Sequence, residues 1–157
     1  MKISTLLLSL IGLLLFGCDS PYFNERAEVA NDVWTYEDTK FFTFSAPDTQ
    51  NLYDIALEVE YQTDYSYQNV YIELETLFPD GDTLTQSFSM DLADKFGNWL
   101  GDCSGDLCSK KALLQPQTRF EQSGTYHLNF RQFTRKDSLM GIHALELSIQ
   151  PAGEKEL

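Results

Sequence analysis

The stretch Ile55-Ala56-Leu57-Glu58-Val59-Glu60-Tyr61 places large apolar side chains at every second position. Successive side chains of a β-strand point to opposite faces of its sheet, so this alternation predicts a half-buried strand. Glu58 and Glu60 then lie on the solvated face. The same period of two recurs along the chain at residues 42–45, 70–76, 87–92, 126–131 and 145–149. The chain is therefore predicted to consist mainly of β-strands.

Turn residues fall between these segments and indicate how the strands are joined. Pro79-Asp80-Gly81-Asp82 separates two alternating segments and suits a tight hairpin, and Ala46-Pro47-Asp48 ends an earlier strand. Helical patterning is weak, and residues 109–116 are expected to hold at most one helical turn. We predict an all-β fold, a two-sheet antiparallel β-sandwich or jelly roll of about seven or eight strands.

The first residues have the composition of an export signal. Lys2 supplies a positive charge, an apolar run covers residues 6–16, and small Gly17 precedes Cys18. The run is shorter than the roughly twenty residues that a membrane-spanning helix needs. Leu15-Phe16-Gly17-Cys18 resembles the bacterial lipobox, and the alternative is an ordinary signal peptide. We predict removal of residues 1–17 and lipidation of Cys18 with palmitate-type acyl chains on its thiol and new amine.

This assignment and the charge of the chain together set its organisation and its partners. After the signal peptide, we expect a lipid-anchored tether at 18–33, a β-sandwich domain at 34–151 and a C-terminal tail at 152–157. The formal net charge is −13, which repels phosphate backbones and anionic headgroups. We therefore expect no nucleic-acid partner, and we expect membrane attachment to come from the lipid on Cys18.

Two cysteines remain once Cys18 carries lipid. Cys103 and Cys108 form an even pair in an exported chain, and a disulfide between them is the preferred interpretation. The alternatives are two unbonded thiols or half of a metal site. A zinc site would need two further ligands, for which only His127 and His143 offer imidazoles. We predict no metal site and no cofactor.

The sequence contains no motif that would support catalysis. A zinc-protease helix, a nucleophile elbow and a phosphate-cradling glycine loop are all missing from it, and His127 falls on the polar face of its strand. We therefore predict that the protein is not an enzyme.

Two patches are candidates for binding. Trp99 lies between Gly97 and Gly101, and either anchors its loop in the core or is presented to a partner. The segment from Arg131 to Asp137 holds three cations in an acidic protein, which either pair with the acidic faces or dock a partner.

The chain also resembles the gliding-motility lipoprotein GldH family of the Bacteroidetes. With the lipobox at Cys18, the matching features cover nearly the whole mature chain in order and spacing. They are Tyr65-Ser66-Tyr67-Gln68-Asn69-Val70-Tyr71-Ile72, Phe78-Pro79-Asp80-Gly81, Gly97-Asn98-Trp99-Leu100-Gly101, Gly124-Thr125-Tyr126 and Arg135-Lys136-Asp137-Ser138-Leu139-Met140-Gly141-Ile142. One departure is that Cys103 and Cys108 stand where the family has a glycine-rich stretch.

The resemblance implies a non-catalytic accessory protein of the gliding apparatus, which shares machinery with type IX secretion. We expect a lipoprotein of the cell envelope, most simply of the outer membrane, that acts by binding protein partners. The partner-binding candidates are Trp99, Tyr65, Tyr67, Arg131 and Arg135. The alternative is a carbohydrate-binding jelly-roll lipoprotein, in which Trp34, Tyr65, Tyr67 and Trp99 would stack on sugars. Exposure of these aromatic side chains distinguishes the two hypotheses.

Overall fold

The computed structural model describes residues 21–153. The predicted signal peptide, Cys18 and the last four residues of the predicted tail lie outside these residues. The described chain forms eleven strands and one short 3₁₀ helix at Ala30–Asp32. The strands are β1 (Phe23–Glu28), β2 (Val33–Thr35), β3 (Lys40–Ser45), β4 (Tyr53–Gln62), β5 (Asn69–Leu77), β6 (Thr83–Asp91), β7 (Asp102–Ser104), β8 (Leu107–Thr118), β9 (Thr125–Gln132), β10 (Ser138–Met140) and β11 (Ile142–Pro151).

Two antiparallel sheets pack face to face and confirm the predicted all-β sandwich. The larger sheet has the order β1-β11-β4-β8-β7, and the second has the order β3-β9-β5-β6. Strands β10 and β2 form a separate two-stranded sheet. The strand count exceeds the predicted seven or eight because β1, β2, β7 and β10 are short or polar strands without clear alternation.

The core lies between the two sheets and is formed by the apolar residues of the alternating segments. In β4 the inward side chains Leu57, Val59 and Tyr61 are fully buried, and in β5 Val70 and Ile72 face them from the other sheet. Burying one such side chain contributes roughly 1.5–3 kcal/mol, so these alternating strands account for most of the stabilising burial.

The intervening carboxylates lie on the outer faces, as predicted from the alternation. Glu60 is paired with Arg26 across the larger sheet, and Glu73 is paired with Arg131 across the other sheet. Glu75 accepts a hydrogen bond from the side-chain amide of Asn129 at 3.0 Å. These carboxylates thus serve as solvated partners of neighbouring strands.

The sandwich has two ends, which we call proximal and distal. The proximal end is where β1 begins, and it holds a cluster of aromatic rings whose centroids lie 5.3–5.8 Å apart. The distal end carries the β4–β5 and β9–β10 loops. Strand β4 runs from one end to the other, and its ten residues span roughly 30 Å.

Two segments differ from the sequence expectation. Strand β1 lies within the segment expected to be a tether, and it pairs with β11 along its whole length, from Phe23 opposite Ile149 to Glu28 opposite Ala144. It is an edge strand with a mostly exposed burial pattern, so its sequence lacks the apolar alternation that marks the other strands. The folded domain therefore starts near Phe23 and not at Trp34.

Residues 109–116 form part of β8 and not a helical turn. Pairing with β4 decides this conformation, because Glu58 is opposite Lys111 and Leu57 is opposite Ala112 in the β4–β8 ladder. The local sequence is rich in residues with little β-preference, so tertiary contacts override it. No helix within residues 21–153 has the length and apolar character needed to cross a bilayer.

Candidate functional site

A cleft of about 600 Å³ lies at the distal end, where the β4–β5 loop meets the β9–β10 loop. We call it the distal cleft. Several of its side chains are unusually exposed for aromatic residues, with exposed fractions of 42% for Tyr67, 48% for Tyr71 and 55% for Phe133. The residues that line it are Tyr65, Tyr67, Asn69, Tyr71, Phe133, Thr134, Arg135, Lys136 and Leu139. The structure therefore brings three sequence-predicted candidates, Tyr65, Tyr67 and Arg135, to one place.

One wall of the distal cleft is a loop held in shape by a buried glutamine. Gln132 is only 2% exposed, and its side-chain amide donates to the backbone carbonyl of Lys136 at 2.8 Å. Its side-chain oxygen accepts from the backbone N–H and the hydroxyl of Thr134. The Phe133 N–H donates to the Tyr71 carbonyl at 2.8 Å. These bonds hold the backbone of the loop that carries Phe133 and the two cations, which lowers the cost of ordering it when a partner binds.

The opposite wall is built on Tyr65, which is 5% exposed and serves as the anchor of its loop. The Tyr65 hydroxyl donates to the carbonyl of Asn69 at 3.1 Å, and burial raises the pKa of this hydroxyl above its ordinary value. The ring of Tyr67 meets the Tyr65 ring edge-on, with centroids 5.5 Å apart. Tyr65 thus holds Tyr67 in place, and Tyr67 is the ring that faces solvent.

Arg135 and Lys136 give the distal cleft a positive rim. Within residues 21–153, neither has a carboxylate oxygen within 4.0 Å of its charged nitrogens, whereas Arg26, Lys40 and Arg131 all do. Cations beside exposed aromatic rings can bind an acidic or aromatic segment of another molecule through ion pairs and cation–π contacts. Aromatic and arginine side chains are also those that contribute most at protein interfaces.

Arg131 does not join this site. Its guanidinium pairs with Glu73 on the outer face of the sheet, with Nε donating to the carboxylate at 2.6 Å. Arg131 is opposite Glu73 in the β5–β9 ladder, so the pair is a cross-strand ion pair. Its charge is already balanced within the sheet.

Trp99 anchors its loop and is only partly exposed. Its ring packs edge-on against Tyr61, with centroids 5.0 Å apart, and Tyr61 in turn lies 6.3 Å from Tyr65. The neighbouring Gly101 has no room for a side chain, because a Cβ there would lie 2.8 Å from the Ser109 carbonyl carbon and from the Tyr61 hydroxyl. Trp99 therefore supports the distal cleft through Tyr61 and does not line it.

The aromatic side chains proposed to bind sugars are mostly buried. Trp34 is fully buried, and its indole N–H donates to the Asp38 carbonyl at 2.7 Å. Tyr65 is buried and Trp99 is half-buried, which leaves Tyr67 as the exposed ring of the four. These four residues do not form a flat row of exposed rings.

The predicted disulfide between Cys103 and Cys108 is present and joins directly opposed residues of β7 and β8. Cys108 is buried against the core and Cys103 is exposed, so the bond ties the short edge strand β7 to the sandwich. The described residues contain no cluster of three or more His, Cys, Asp or Glu side chains that could hold a metal ion.

Sequence reasoning missed Tyr71 and Phe133 as members of the site, and it included Lys136 only as one of the three cations of the segment from Arg131 to Asp137. A signal was present for Tyr71, because it occupies the polar face of its strand, between the inward residues Val70 and Ile72. An aromatic side chain at a solvated position calls for an explanation, whereas one at an inward position is ordinary core. For Phe133 the deciding fact is the path of the β9–β10 loop, which the sequence does not reveal.

The fold and this end of the molecule define an antiparallel β-sandwich that presents an aromatic and cationic cleft. The chain belongs to the GldH lipoprotein family, whose sequence model matches residues 21–149. Membership in this family makes it a membrane-anchored lipoprotein of the cell envelope.

Comparisons with individual proteins give one similar relative and weak structural likenesses. A gliding motility lipoprotein GldH homolog of Christiangramia forsetii is 27% identical over 135 residues, which cover 85% of this chain and 83% of the relative. The VP2 subviral particle of infectious bursal disease virus aligns at a TM-score of 0.39 and 18% identity, over 88% of this chain and 35% of the viral chain. The Gx strain of that virus gives a TM-score of 0.32 over similar shares. The chain spans about a third of those viral chains, and the likeness supports no inference about function.

Proposed function

We propose that this protein is a lipid-anchored accessory component of the bacterial gliding-motility machinery, and of the type IX secretion machinery linked to it. It acts without catalysis, by docking a protein partner in the distal cleft. The GldH lipoprotein family and the gliding-motility relative support the assignment to the gliding machinery. The observation that carries the docking role is the exposed aromatic and cationic surface of that cleft, one wall of which is a loop hydrogen-bonded to the buried Gln132.

The position of the distal cleft relative to the predicted lipid supports this role. Strand β1 begins at Phe23, five residues after Cys18, so the connecting chain reaches at most about 18 Å. An anchor on Cys18 would hold the proximal end close to the membrane, which we propose is the outer membrane. The distal cleft would then stand roughly 30 Å further from the membrane surface, where a partner can reach it.

The chemistry of the distal cleft favours a protein partner over a glycan. Tyr65 and Tyr67 meet edge-on and do not offer two coplanar faces for sugar rings. The exposed rings of Phe133 and Tyr71 add apolar surface, while Arg135 and Lys136 form a polar rim. An apolar centre with a charged rim is the usual anatomy of a protein interface. Because both rim residues are cations, we propose that the partner presents carboxylates there.

A matched pair of double variants tests this proposal. Phe133→Ala with Lys136→Glu removes one exposed ring and reverses one charge in the distal cleft. Phe41→Ala with Lys111→Glu makes the same changes on exposed outer faces away from it. We would crosslink each tagged lipoprotein in native membranes of its own bacterium and identify the captured proteins by mass spectrometry.

The distal variant should recover a motility or secretion component at least about tenfold less than the unaltered protein, since each tenfold loss needs only about 1.4 kcal/mol. The control variant should recover it normally. Equal recovery by both variants, or recovery of glycan-handling proteins alone, would contradict the proposed docking role.

A further inference from the structure

Strand β6 is the terminal strand of its sheet and is paired on one side only. All nine of its residues pair with β5, from Thr83 opposite Leu77 to Asp91 opposite Asn69, without any shift of register. Within residues 21–153, no strand pairs with its other side. Strand β6 therefore presents a long, regular and unpaired edge.

The hydrogen-bond pattern shows which backbone groups lie on that edge. Gln68 accepts from the N–H of Leu92 and Asp82 accepts from the N–H of Phe78, and both contacts continue the β5–β6 register at its two ends. Hydrogen-bonded pairs alternate along an antiparallel ladder, so the even-numbered residues of β6 face β5. The outward N–H and C=O groups belong to the odd-numbered residues, which are Thr83, Thr85, Ser87, Ser89 and Asp91.

Natural proteins usually protect such an edge with lysines, proline or a bulge. The outer edge of β8, on the same side of the sandwich, has all three. It carries Lys110, Lys111 and Pro116, and its pairing with β4 shifts register next to Ala56 of β4. Strand β6 has none of these devices between Thr83 and Asp91. The contrast within one molecule indicates that the β6 edge is left accessible.

An apolar cleft of about 640 Å³ opens beside this edge, between β6 and β8. Its walls include the inward side chains Leu84 and Phe88 of β6 and Leu114 of β8, together with Phe120. Leu84 points inward yet is 43% exposed, because nothing in the described part of the chain covers it. A strand added to β6 would place every second side chain over this cleft and would close the sandwich.

Charge selects the kind of strand that fits. Asp82 and Asp91 stand at the two ends of β6, are exposed, and have no cation within 4.0 Å among the described residues. On the wall of the cleft that faces β6, Arg119 and Glu121 carry opposite charges and together add no net charge. Two copies paired antiparallel through β6 would bring these acidic ends together in a chain of net charge −13. A segment with basic residues at its ends would instead be attracted.

We propose that β6 receives an extended segment of another protein by strand addition. The segment has apolar residues at alternate positions and basic residues at its flanks. Its backbone pairs with the odd-numbered residues of β6, and its apolar side chains enter the cleft between β6 and β8. This surface is separate from the distal cleft, so the two docking roles succeed or fail independently.

The test uses the purified lipoprotein in detergent micelles and a short synthetic peptide of alternating valine and threonine flanked by lysines. Amide hydrogen exchange should slow for Thr85, Ser87 and Ser89 when the peptide is added. The amides of Gln86 and Phe88 already face β5 and should change little. A peptide flanked by glutamates should bind about tenfold more weakly.

Variants at one position separate backbone pairing from side-chain contact. Ser87→Pro removes an outward N–H without touching the bonds to β5 and should weaken peptide binding about tenfold, whereas Ser87→Ala should bind normally. Asp82→Asn with Asp91→Asn leaves the backbone intact and should weaken the lysine-flanked peptide about fivefold. Three results would overturn the proposal. The first is slowed exchange at odd- and even-numbered amides of β6 alike, and the second is peptide binding by Ser87→Pro equal to that of the unaltered protein. The third is slowed exchange of β6 that rises with protein concentration when no peptide is present.

Discussion

The close approach of Gly101 to strand β8 gives a prediction that can be worked out from the structure. The change is Gly101→Ala. The new Cβ would lie 2.8 Å from the Ser109 carbonyl carbon and from the Tyr61 hydroxyl, and closer still to the Ser109 carbonyl oxygen. Since carbon atoms pack best at about 3.5 Å or more, the loop must move by roughly 0.7 Å or more. The Ser109 backbone cannot yield, because Ser109 pairs with Glu60 in β4 and with Asp102 in β7.

We expect this movement to lower the free energy of unfolding by about 2 kcal/mol, within the range of about 1–3 kcal/mol for overpacking. The melting temperature should fall by roughly 8 °C in a domain of this size. The displaced loop should also carry Trp99 away from Tyr61, which it now meets at 5.0 Å. Urea unfolding gives the stability, and tryptophan fluorescence reports Trp99, since the other tryptophan, Trp34, stays buried.

Gly153→Ala is the matched control, because a Cβ there meets nothing within 4 Å. It should leave the stability and the fluorescence unchanged. The contrary result would be that Gly101→Ala unfolds at the same urea concentration as the unaltered protein and keeps the same emission maximum. That result would show that Gly101 does not make the close contact. It would also refute the support of the distal cleft by Trp99 through Tyr61.

Three further predictions address other contacts. Tyr65→Phe removes the bond to Asn69 and should cost about 1 kcal/mol in urea unfolding; an unchanged midpoint would mean that the hydroxyl is not bonded. Reduction of the disulfide adds two hydrogen atoms, which intact mass should detect, and should cost at most about 2 kcal/mol of stability for so short a loop; no mass change would show unbonded cysteines. The carboxylate of Asp48 accepts hydrogen bonds from the backbone N–H of Asn51 and from the Tyr53 hydroxyl, and these bonds hold the pKa of Asp48 below its usual value. The ionised Asp48 therefore stabilises the fold fully above pH about 4, and this contribution is lost as the pH falls further. Acid unfolding followed by circular dichroism should therefore be shallower for Asp48→Asn, and identical acid limbs would contradict this.

The strands with a clear two-residue period could be predicted from the sequence because burial on one face leaves that imprint. All six alternating segments became strands, including β4, β5, β9 and β11. The hairpin at Pro79-Asp80-Gly81-Asp82 was also confirmed, with Gly81 at a φ of 92°. Here local chemistry and global fold agree, which is the usual condition for a correct prediction.

The predictions that failed, for β1 and for residues 109–116, have a common physical cause: contacts with strands distant in sequence decide these conformations. Strand β1 is stabilised by one neighbour and mostly exposed, so its sequence shows little burial. The β8 conformation is set by pairing with β4, which is distant in sequence. The distal cleft likewise depends on two loops meeting. Tyr67 and Arg135 could each be proposed from the sequence, but their proximity follows from where β4 and β9 end and β5 begins, and this is a property of the topology.

The most direct test of the docking role is site-specific photocrosslinking in living cells. A photoreactive phenylalanine analogue would replace Phe133 in the distal cleft and, in a second strain, Phe41 on the outer face of β3, which is at least as exposed. We predict a discrete protein adduct from position 133, absent from position 41, that contains a component of the motility or secretion machinery. No adduct at position 133, or the same adducts from both positions, would contradict the account.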